Sequence, residues 1–198
     1  MSKYDMIALY GPAALIVLAL AWGFARIAYL SKAEGVSVLA FIGRERSGPE
    51  LVLGVVAIIL DLYLLLRPFV PALDGYAMAG HTPIGHFGVP IMAVGVGIAA
   101  LSQMGMGKAW RIGVPREIET SQSLVTTGLY RFSRNPIYLG IMLFVIGGVV
   151  VIPGPITILS VIITFVFMNK VIEAEEAFLR DAFGAEFDTY CQNTRRWI

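Results

Sequence analysis

The stretch that decides the fold is residues 136–170, PIYLGIMLFVIGGVVVIPGPITILSVIITFVFMNK, which is apolar almost throughout. A helix needs only about 20 residues to cross the roughly 30 Å hydrocarbon core of a bilayer, so this run is too long for one span. Pro153, Gly154 and Pro155 interrupt it in the middle, and neither residue type favours a helix interior. We therefore predict a tight hairpin of two helices, at about 136–152 and 156–170.

The composition of the whole chain predicts an integral membrane protein. Of its 198 residues, 57% are hydrophobic and 15% are charged, and the mean hydropathy of +0.75 is too high for an ordinary soluble domain. Three further apolar runs, at about 6–30, 51–70 and 87–104, are long enough to be spans. We predict an all-α polytopic protein with five transmembrane helices, in one domain. Residues 1–104 form a three-span scaffold, and residues 105–198 carry the function.

The placement of the basic residues predicts the orientation of the spans. With five spans, all of the 15 Lys and Arg residues except Lys3 and Arg67 fall on one side of the membrane. Since positive loops stay in the cytoplasm, the loop at 105–135 and the C-terminus should be cytoplasmic, and the N-terminus should lie on the opposite side. The net charge of only +1 gives no reason to expect a nucleic-acid partner.

A loop with a helix start lies immediately before the hairpin, in residues 124–140, LVTTGLYRFSRNPIYLG. Asn135 is a good helix cap, and Pro136 suits the first helical position because its missing N–H costs no hydrogen bond there. The helix dipole and Arg134 would both present positive charge to this loop. The pattern predicts a binding site for an anionic group at the membrane surface.

An acidic segment follows the hairpin, EAEEAFLRDAFG at 173–184. Its apolar residues recur at helical spacing, Glu176 and Arg180 are four residues apart, and Gly184 is a suitable C-cap. We predict a cytoplasmic amphipathic helix at the membrane surface. A solvated acidic face is the alternative. The segment leaves the membrane on the same side as the arginine-rich loop, so the two can form one site.

Two motifs around the hairpin resemble one family of membrane enzymes. The motifs are Gly128-x-Tyr130-x-x-x-Arg134-Asn135-Pro136-x-Tyr138-x-Gly140 and Glu175-Glu176-x-x-Leu179-x-x-x-Phe183-Gly184-x-x-Phe187-x-x-Tyr190. Together they resemble the isoprenylcysteine carboxyl methyltransferase and phospholipid N-methyltransferase superfamily. The resemblance covers about 105–196 and implies a multi-pass membrane enzyme that uses S-adenosylmethionine. Carboxyl methyltransferases commonly have histidine where this chain has Asn135, so the motif is more similar to the phospholipid enzymes.

The resemblance implies a cofactor site that agrees with the chemistry of these residues. Arg134 and the helix start suit the carboxylate of S-adenosylmethionine, and the glutamates suit its ammonium or ribose. Methyl transfer from a sulfonium needs positioning but no metal. Arg134 and Glu176 are the expected catalytic residues, with Glu176 as the base if the acceptor is an amine. The expected cofactor-binding residues are Tyr130, Arg134, Asn135, Pro136, Tyr138, Leu139, Gly140, Glu175 and Glu176.

The acceptor is less well determined than the reaction. A lipophilic or amphiphilic molecule such as a phospholipid amine is the main expectation; an isoprenylcysteine carboxylate and a small-molecule thiol are alternatives. A catalytically silent scaffold or small transporter is an alternative of another class, suggested by Asp61 and Arg67 in the second span. Asp61 could line an acceptor tunnel or pair with a basic residue. His81 and His86 make a poor zinc site, because no third ligand accompanies them.

Overall fold

The computed structural model describes residues 3–33, 48–80, 82–110 and 123–198. Arg44, Arg46, Arg111 and Arg116 of the orientation argument, and His81 of the zinc alternative, lie outside these ranges. The described residues are helical and contain no strand. The α-helices are α1 (Lys3–Ala33), α2 (Gly48–Leu66), α3 (Ala72–Tyr76), α4 (Gly88–Met106), α5 (Pro136–Val151), α6 (Pro155–Phe183) and α7 (Ala185–Asn193).

Four of the described helices, α1, α2, α4 and α6, are long and apolar enough to cross a membrane. Helix α5 is apolar but has only 16 residues, about 24 Å. The prediction of an all-α membrane protein is confirmed. Four of the five predicted spans correspond to helices long and apolar enough to cross a membrane, and α5 lies at the position of the other one. Helix α2 ends at Leu66, before the predicted end at residue 70, because Pro68 disfavours helical geometry at the residue preceding it.

The predicted hairpin is present, with its break where the sequence places it. Helix α5 ends at Val151 and α6 begins at Pro155. The Thr157 hydroxyl closes the turn, since it accepts from the N–H of Gly154 at 3.1 Å and lies 2.9 Å from the carbonyl of Ile152. Helix α6 then continues without a break for 29 residues, about 44 Å, which is longer than a bilayer core.

Glycines allow α4 and α5 to pack backbone against backbone. A Cβ atom on Gly95 would lie 2.5 Å from the carbonyl oxygen of Gly140, and a Cβ atom on Gly140 would lie 2.5 Å from that of Gly95. Gly88 and Gly147 make the same kind of contact one heptad further along. Small residues at these positions therefore allow the two helices to approach closely. Gly97 plays no such part, since no atom lies within 4 Å of its Cβ position.

An ion pair holds the end of the bundle at which α2 ends. The Arg67 Nε donates to both carboxylate oxygens of Asp74 at 2.9 Å, and Nη1 donates to the carbonyl of Ala8 at 3.0 Å. The Tyr63 hydroxyl donates to the same carboxylate at 3.1 Å. Arg67 therefore joins α1, α2 and α3, so its presence near the membrane needs no transport function.

The opposite end of the helix bundle, here called the site end, contains the start of α5 and the end of α6. Gly184 has φ +52°, a left-handed conformation that ends α6 and starts α7. The Gly184 cap was predicted from the sequence, whereas helix α7 was not predicted. Phe187 and Tyr190 on α7 are buried, and the following residues 194–198, here called the tail, return to the start of α5.

Candidate active site

A cavity of about 460 Å³, here called the polar cavity, lies at the site end between the start of α5 and the last turns of α6. It brings together most of the predicted site residues, namely Tyr130, Arg134, Asn135, Tyr138, Glu175 and Glu176. Pro136, Leu139 and Gly140 are not among the described residues that line it. Gly140 packs against α4 instead, and Pro136 is buried at the helix start.

Helix α5 begins at Pro136 as predicted, but the predicted cap is wrong. The Asn135 side chain makes no cap hydrogen bond; its Nδ2 donates to the carbonyl of Arg196 at 3.1 Å. The Asn135 side-chain amide is therefore hydrogen-bonded to the tail and not to the helix. Ile137 and Tyr138 of the first turn line the polar cavity, and first-turn N–H groups lack partners within the helix. The helix start remains suited to an anionic group.

Glu176 lies between two arginines at one wall of this cavity. Its Oε1 accepts from Arg134 Nε at 3.1 Å and Nη2 at 2.9 Å, and from Arg196 Nε at 3.2 Å. Its Oε2 accepts from Arg196 Nη2 at 2.6 Å. The Glu176 carboxylate is buried, and charge-assisted hydrogen bonds of this kind hold it in its ionised form. The three side chains carry a formal net charge of +1.

Arg134 is also bound by the backbone of the C-terminal segment. Its Nη1 donates to the carbonyl of Thr194 at 2.6 Å, and its backbone N–H donates to the carbonyl of Arg195 at 2.9 Å. The Ser133 hydroxyl donates to the carbonyl of Arg196 at 3.3 Å. The tail thus fixes the loop before α5. These acceptors are backbone carbonyls, so no side-chain pattern in the sequence could have revealed them.

Two tyrosines of the first motif make hydrogen bonds within the site. Tyr138 donates its hydroxyl to Glu175 Oε1 at 2.6 Å, which joins α5 to α6. Tyr190 on α7 donates to the carbonyl of Tyr130 at 2.6 Å. Burial raises the pKa of Tyr190 to about 12, so its hydroxyl keeps the proton that it donates. The two bonds hold the loop, α5, α6 and α7 in one arrangement.

Apolar and aromatic side chains complete the polar cavity. Trp110 follows α4, and Phe187, which is only 1% exposed, lies on α7. The resemblance motif contains Phe187, but Trp110 was not predicted as a site residue. Its signal in the sequence is an aromatic residue shortly after the predicted end of a span. Phe178, Leu179 and Phe183 of α6 are further apolar residues of this lining.

A second cavity of about 460 Å³, here called the apolar cavity, lies within the helix bundle. Its walls come from α1, α2, α4, α5 and α6, and are apolar apart from a few polar groups that include Asp61. Leu20 and Ile141 line it and are 51% and 38% exposed, which places its opening on the membrane-facing surface. A hydrocarbon group can enter such a cavity directly from the bilayer.

The two cavities share Gln103 and Tyr138, here called the junction. The Gln103 Oε1 accepts from Trp22 Nε1 at 2.8 Å, which directs the amide N–H groups of Gln103 away from Trp22. Arg26 donates to the carbonyls of Gln103 at 3.3 Å and Gly107 at 3.1 Å, and so fixes the end of α4. Gln103 was not predicted as a site residue, although an amide at the end of an apolar span was a visible signal.

The fold and the comparisons with known proteins define the class together: the chain is a multi-pass integral membrane methyltransferase. More particularly, it belongs to the phospholipid methyltransferase family, whose model matches residues 84–186. This membership confirms the resemblance that the two motifs carry. It leaves the silent scaffold or transporter without support.

Individual relatives are named for one branch of the superfamily. The chain is 27% identical over 175 residues to a probable protein-S-isoprenylcysteine O-methyltransferase of Oryza sativa subsp. indica, covering 87% of this chain and 92% of the relative. It is 26% identical over 114 residues to protein-S-isoprenylcysteine O-methyltransferase A of Arabidopsis thaliana, covering 57% and 58%. These names favour the carboxyl alternative over the phospholipid amine that was the main expectation.

A solved structure shares the fold. It is a eukaryotic intramembrane Ras methyltransferase, isoprenylcysteine carboxyl methyltransferase, with a TM-score of 0.70. The match covers 100% of this chain and 68% of that one, at 18% identity. At this identity the likeness shows the arrangement of the helices and not the substrate.

Proposed function

We propose that the protein transfers a methyl group from S-adenosylmethionine to the carboxylate of a lipophilic acceptor, such as an S-isoprenylated cysteine. The cofactor binds in the polar cavity, and the hydrocarbon part of the acceptor binds in the apolar cavity. The observation that carries the proposal is the junction, where a charged cavity and a membrane cavity share Gln103 and Tyr138. At this junction, a lipophilic acceptor from the bilayer can meet a charged cofactor.

The residues of the polar cavity fit the parts of S-adenosylmethionine. The net positive group of Arg134, Glu176 and Arg196, together with the start of α5, suits the cofactor carboxylate. Glu175, which the Tyr138 hydroxyl holds in place, suits the ammonium or a ribose hydroxyl. The aromatic wall suits the adenine ring. A volume of about 460 Å³ is in the usual range for pockets that bind small molecules and cofactors.

The reaction needs positioning more than acid–base chemistry. S-adenosylmethionine supplies a methyl carbon activated by the sulfonium, so the acceptor oxygen bonds to that carbon while the carbon–sulfur bond breaks and its electron pair stays on sulfur. The residues of the junction would place the acceptor in line and exclude water. The Gln103 amide N–H groups can donate to the acceptor carboxylate, since its Oε1 is already bound by Trp22.

The state of Glu176 favours a carboxylate acceptor over an amine or a thiol. An amine or thiol must lose a proton on methylation, whereas a carboxylate has none to lose. Glu176 was the expected base, but it accepts hydrogen bonds from two arginines, which makes it a poor proton acceptor. Its role here is to hold Arg134 and Arg196 in place. Asn135, which suggested the amine, instead binds the tail.

The orientation of the molecule follows from the same proposal. Helix α5 would be a fifth, short crossing beside locally thinned bilayer, because it runs antiparallel between α4 and α6 in the bundle. The site end, with Arg131, Arg134, Arg180 and Arg196, would face the cytoplasm. The C-terminus would then also be cytoplasmic, and the N-terminus would lie on the opposite side.

Labelled product chemistry tests the proposal. The purified protein is incubated with methyl-labelled S-adenosylmethionine and one of three acceptors: N-acetyl-S-farnesylcysteine, a phosphatidylethanolamine vesicle or a small thiol. We expect label in the cysteine derivative, released as methanol by mild base because it is a methyl ester. Base-stable label in the lipid amine would establish the phospholipid alternative and refute the carboxyl one. A base-stable thioether formed from a small thiol would establish the third reading.

A further inference from the structure

Asp61 is a carboxyl group in the wall of the apolar cavity that the proposed mechanism does not use. It lies on α2, and within the part of the chain that the structure describes its carboxyl group makes no hydrogen bond and no ion pair. A polar group in an apolar site is costly unless a partner satisfies it. Ionisable residues inside membrane helices commonly face a ligand pathway or a partner.

The nearby arginines do not supply that partner. Arg67, six residues further along the chain, is bound by Asp74 and by the carbonyl of Ala8. Arg26 on α1 donates to the carbonyls of Gln103 and Gly107. Among the described residues, Asp61 therefore forms no structural ion pair. The other explanation that the sequence offers is that Asp61 lines an acceptor tunnel.

The position of Asp61 along α2 determines how far from the junction a ligand group could contact it. Leu53 and Asp61 both line the cavity from α2. Leu53 and Tyr138 both pack against the apolar cluster of Met142, Met168 and Ile172, so Leu53 marks the end of the cavity nearer the junction. Eight residues of helix separate the two positions, about 12 Å along the axis. Asp61 therefore lies about 12 Å from the junction, beside the distal part of a bound hydrocarbon chain.

We propose that Asp61 selects acceptors whose tail carries a hydrogen-bond donor, a hydroxyl or an amine, about 12 Å from the reacting group. This inference rests on the proposed function, because it takes the apolar cavity to be the acceptor site. A plain hydrocarbon tail would leave the carboxyl group facing methylene groups, whereas a donor on the tail would satisfy it. Within the proposed class of lipophilic carboxylates, the preferred acceptor thus carries a second polar group on its tail, and a plain isoprenyl chain is used less well.

A panel of three acceptors tests this proposal. The probes are N-acetylcysteines S-alkylated with a pentyl, an ω-hydroxypentyl or an ω-aminopentyl tail, which share one reacting carboxylate and place the donor at the proposed distance from it. Methyl transfer is measured as kcat/KM, and binding is measured by calorimetry in the presence of S-adenosylhomocysteine. We expect the wild-type protein to prefer the two donor-bearing tails over pentyl by about 10-fold to 100-fold, as for a hydrogen bond to a charged group.

Variants assign the preference to Asp61. Asp61→Leu should reverse this preference in favour of pentyl, and Asp61→Asn should keep the hydroxyl preference and lose the amine preference. Leu53→Ala, a change in the same helix and cavity, should weaken all three acceptors alike. Equal use of the three tails by the wild-type protein, or an Asp61→Leu variant that keeps the wild-type ratios, would overturn the inference.

The outcomes separate this inference from the proposed function. Methylation of the three acceptors without discrimination refutes the role of Asp61 and leaves the carboxyl methyltransferase intact. Binding of the donor-bearing tails in preference to pentyl, without methylation of any of them, supports the role of Asp61 and refutes the proposed reaction. Folding of each variant is checked by its binding of S-adenosylhomocysteine.

Discussion

Gly140→Ala should separate α4 from α5 and disturb the site that α5 carries. The added methyl carbon would lie 2.5 Å from the carbonyl oxygen of Gly95, 2.9 Å from the amide nitrogen of Ala99 and 3.2 Å from its Cβ. Two of these atoms belong to the backbone, so no side-chain rotation relieves the clash. Since an ordinary C···O contact is about 3.3–3.6 Å, the helices must part by about 1 Å.

The displacement has consequences for both stability and rate. Overpacking of a tight contact costs about 1–3 kcal/mol, of which the helix propensity of alanine restores up to about 1 kcal/mol. The larger effect falls on chemistry, because Tyr138 lies two residues from Gly140 and a shift of about 1 Å can lower a rate about 100-fold. We expect a small fall in unfolding temperature in detergent and a fall of about 10-fold to 100-fold in kcat/KM for methyl transfer.

Gly97→Ala is the matched control on the facing helix. No atom lies within 4 Å of its Cβ position, so the variant should be as active as wild type and slightly more stable. Activity and unfolding temperature are measured on both variants in the same detergent. Wild-type activity in Gly140→Ala, or equal damage in the two variants, would refute the argument from close packing.

The remaining predictions concern the contacts that surround the polar cavity. Glu176→Gln removes the negative charge between two arginines and should lower the free energy of unfolding by about 3–5 kcal/mol. Glu173→Gln, at a side chain that is 63% exposed, is the control and should lower it by less than about 1 kcal/mol. Equal shifts in unfolding temperature for the two variants would contradict this prediction. Burial raises the pKa of Tyr190 from 10.0 to about 12, so only the unfolded chain loses this proton between those values, and wild-type stability should fall as the pH rises through that range. Tyr190→Phe, which lacks the bond to Tyr130, should show a shallower fall in a pH series of thermal unfolding curves; an identical slope would count against the assignment. Gly184→Ala places a side chain at φ +52° and should cost about 1–2 kcal/mol, and unchanged thermal stability would argue against a strained turn between α6 and α7.

Local physics made the helices and much of the site predictable. The apolar runs are membrane-length, and the prolines flanking Gly154 allow one place for the hairpin turn. The spacing of the two motifs placed Arg134, Tyr138 and Glu175 together, because a hairpin brings the start of its first helix back to the end of its second. These features depend on residues close together in the sequence or on a single turn.

The parts that could not be predicted depend on contacts made by the backbone over long separations. The tail binds Arg134 through the carbonyls of Thr194 and Arg195, and any residue type offers a carbonyl. For the same reason Asn135 was expected to cap α5 and instead donates to the carbonyl of Arg196. The expectation of a phospholipid amine depended on Asn135 alone, and the side chain of that residue is bound by the tail.

Blocking the junction tests most directly the central claim that the two cavities form one reaction site. Gln103→Phe should fill the place where both cavities meet while leaving the distal parts of each intact. Calorimetry should show that S-adenosylhomocysteine and the farnesylated cysteine derivative each still bind alone. Methyl transfer from S-adenosylmethionine, measured in the same preparation, should fall by at least about 100-fold, because the reacting atoms are no longer in line. Transfer at the wild-type rate would contradict the account.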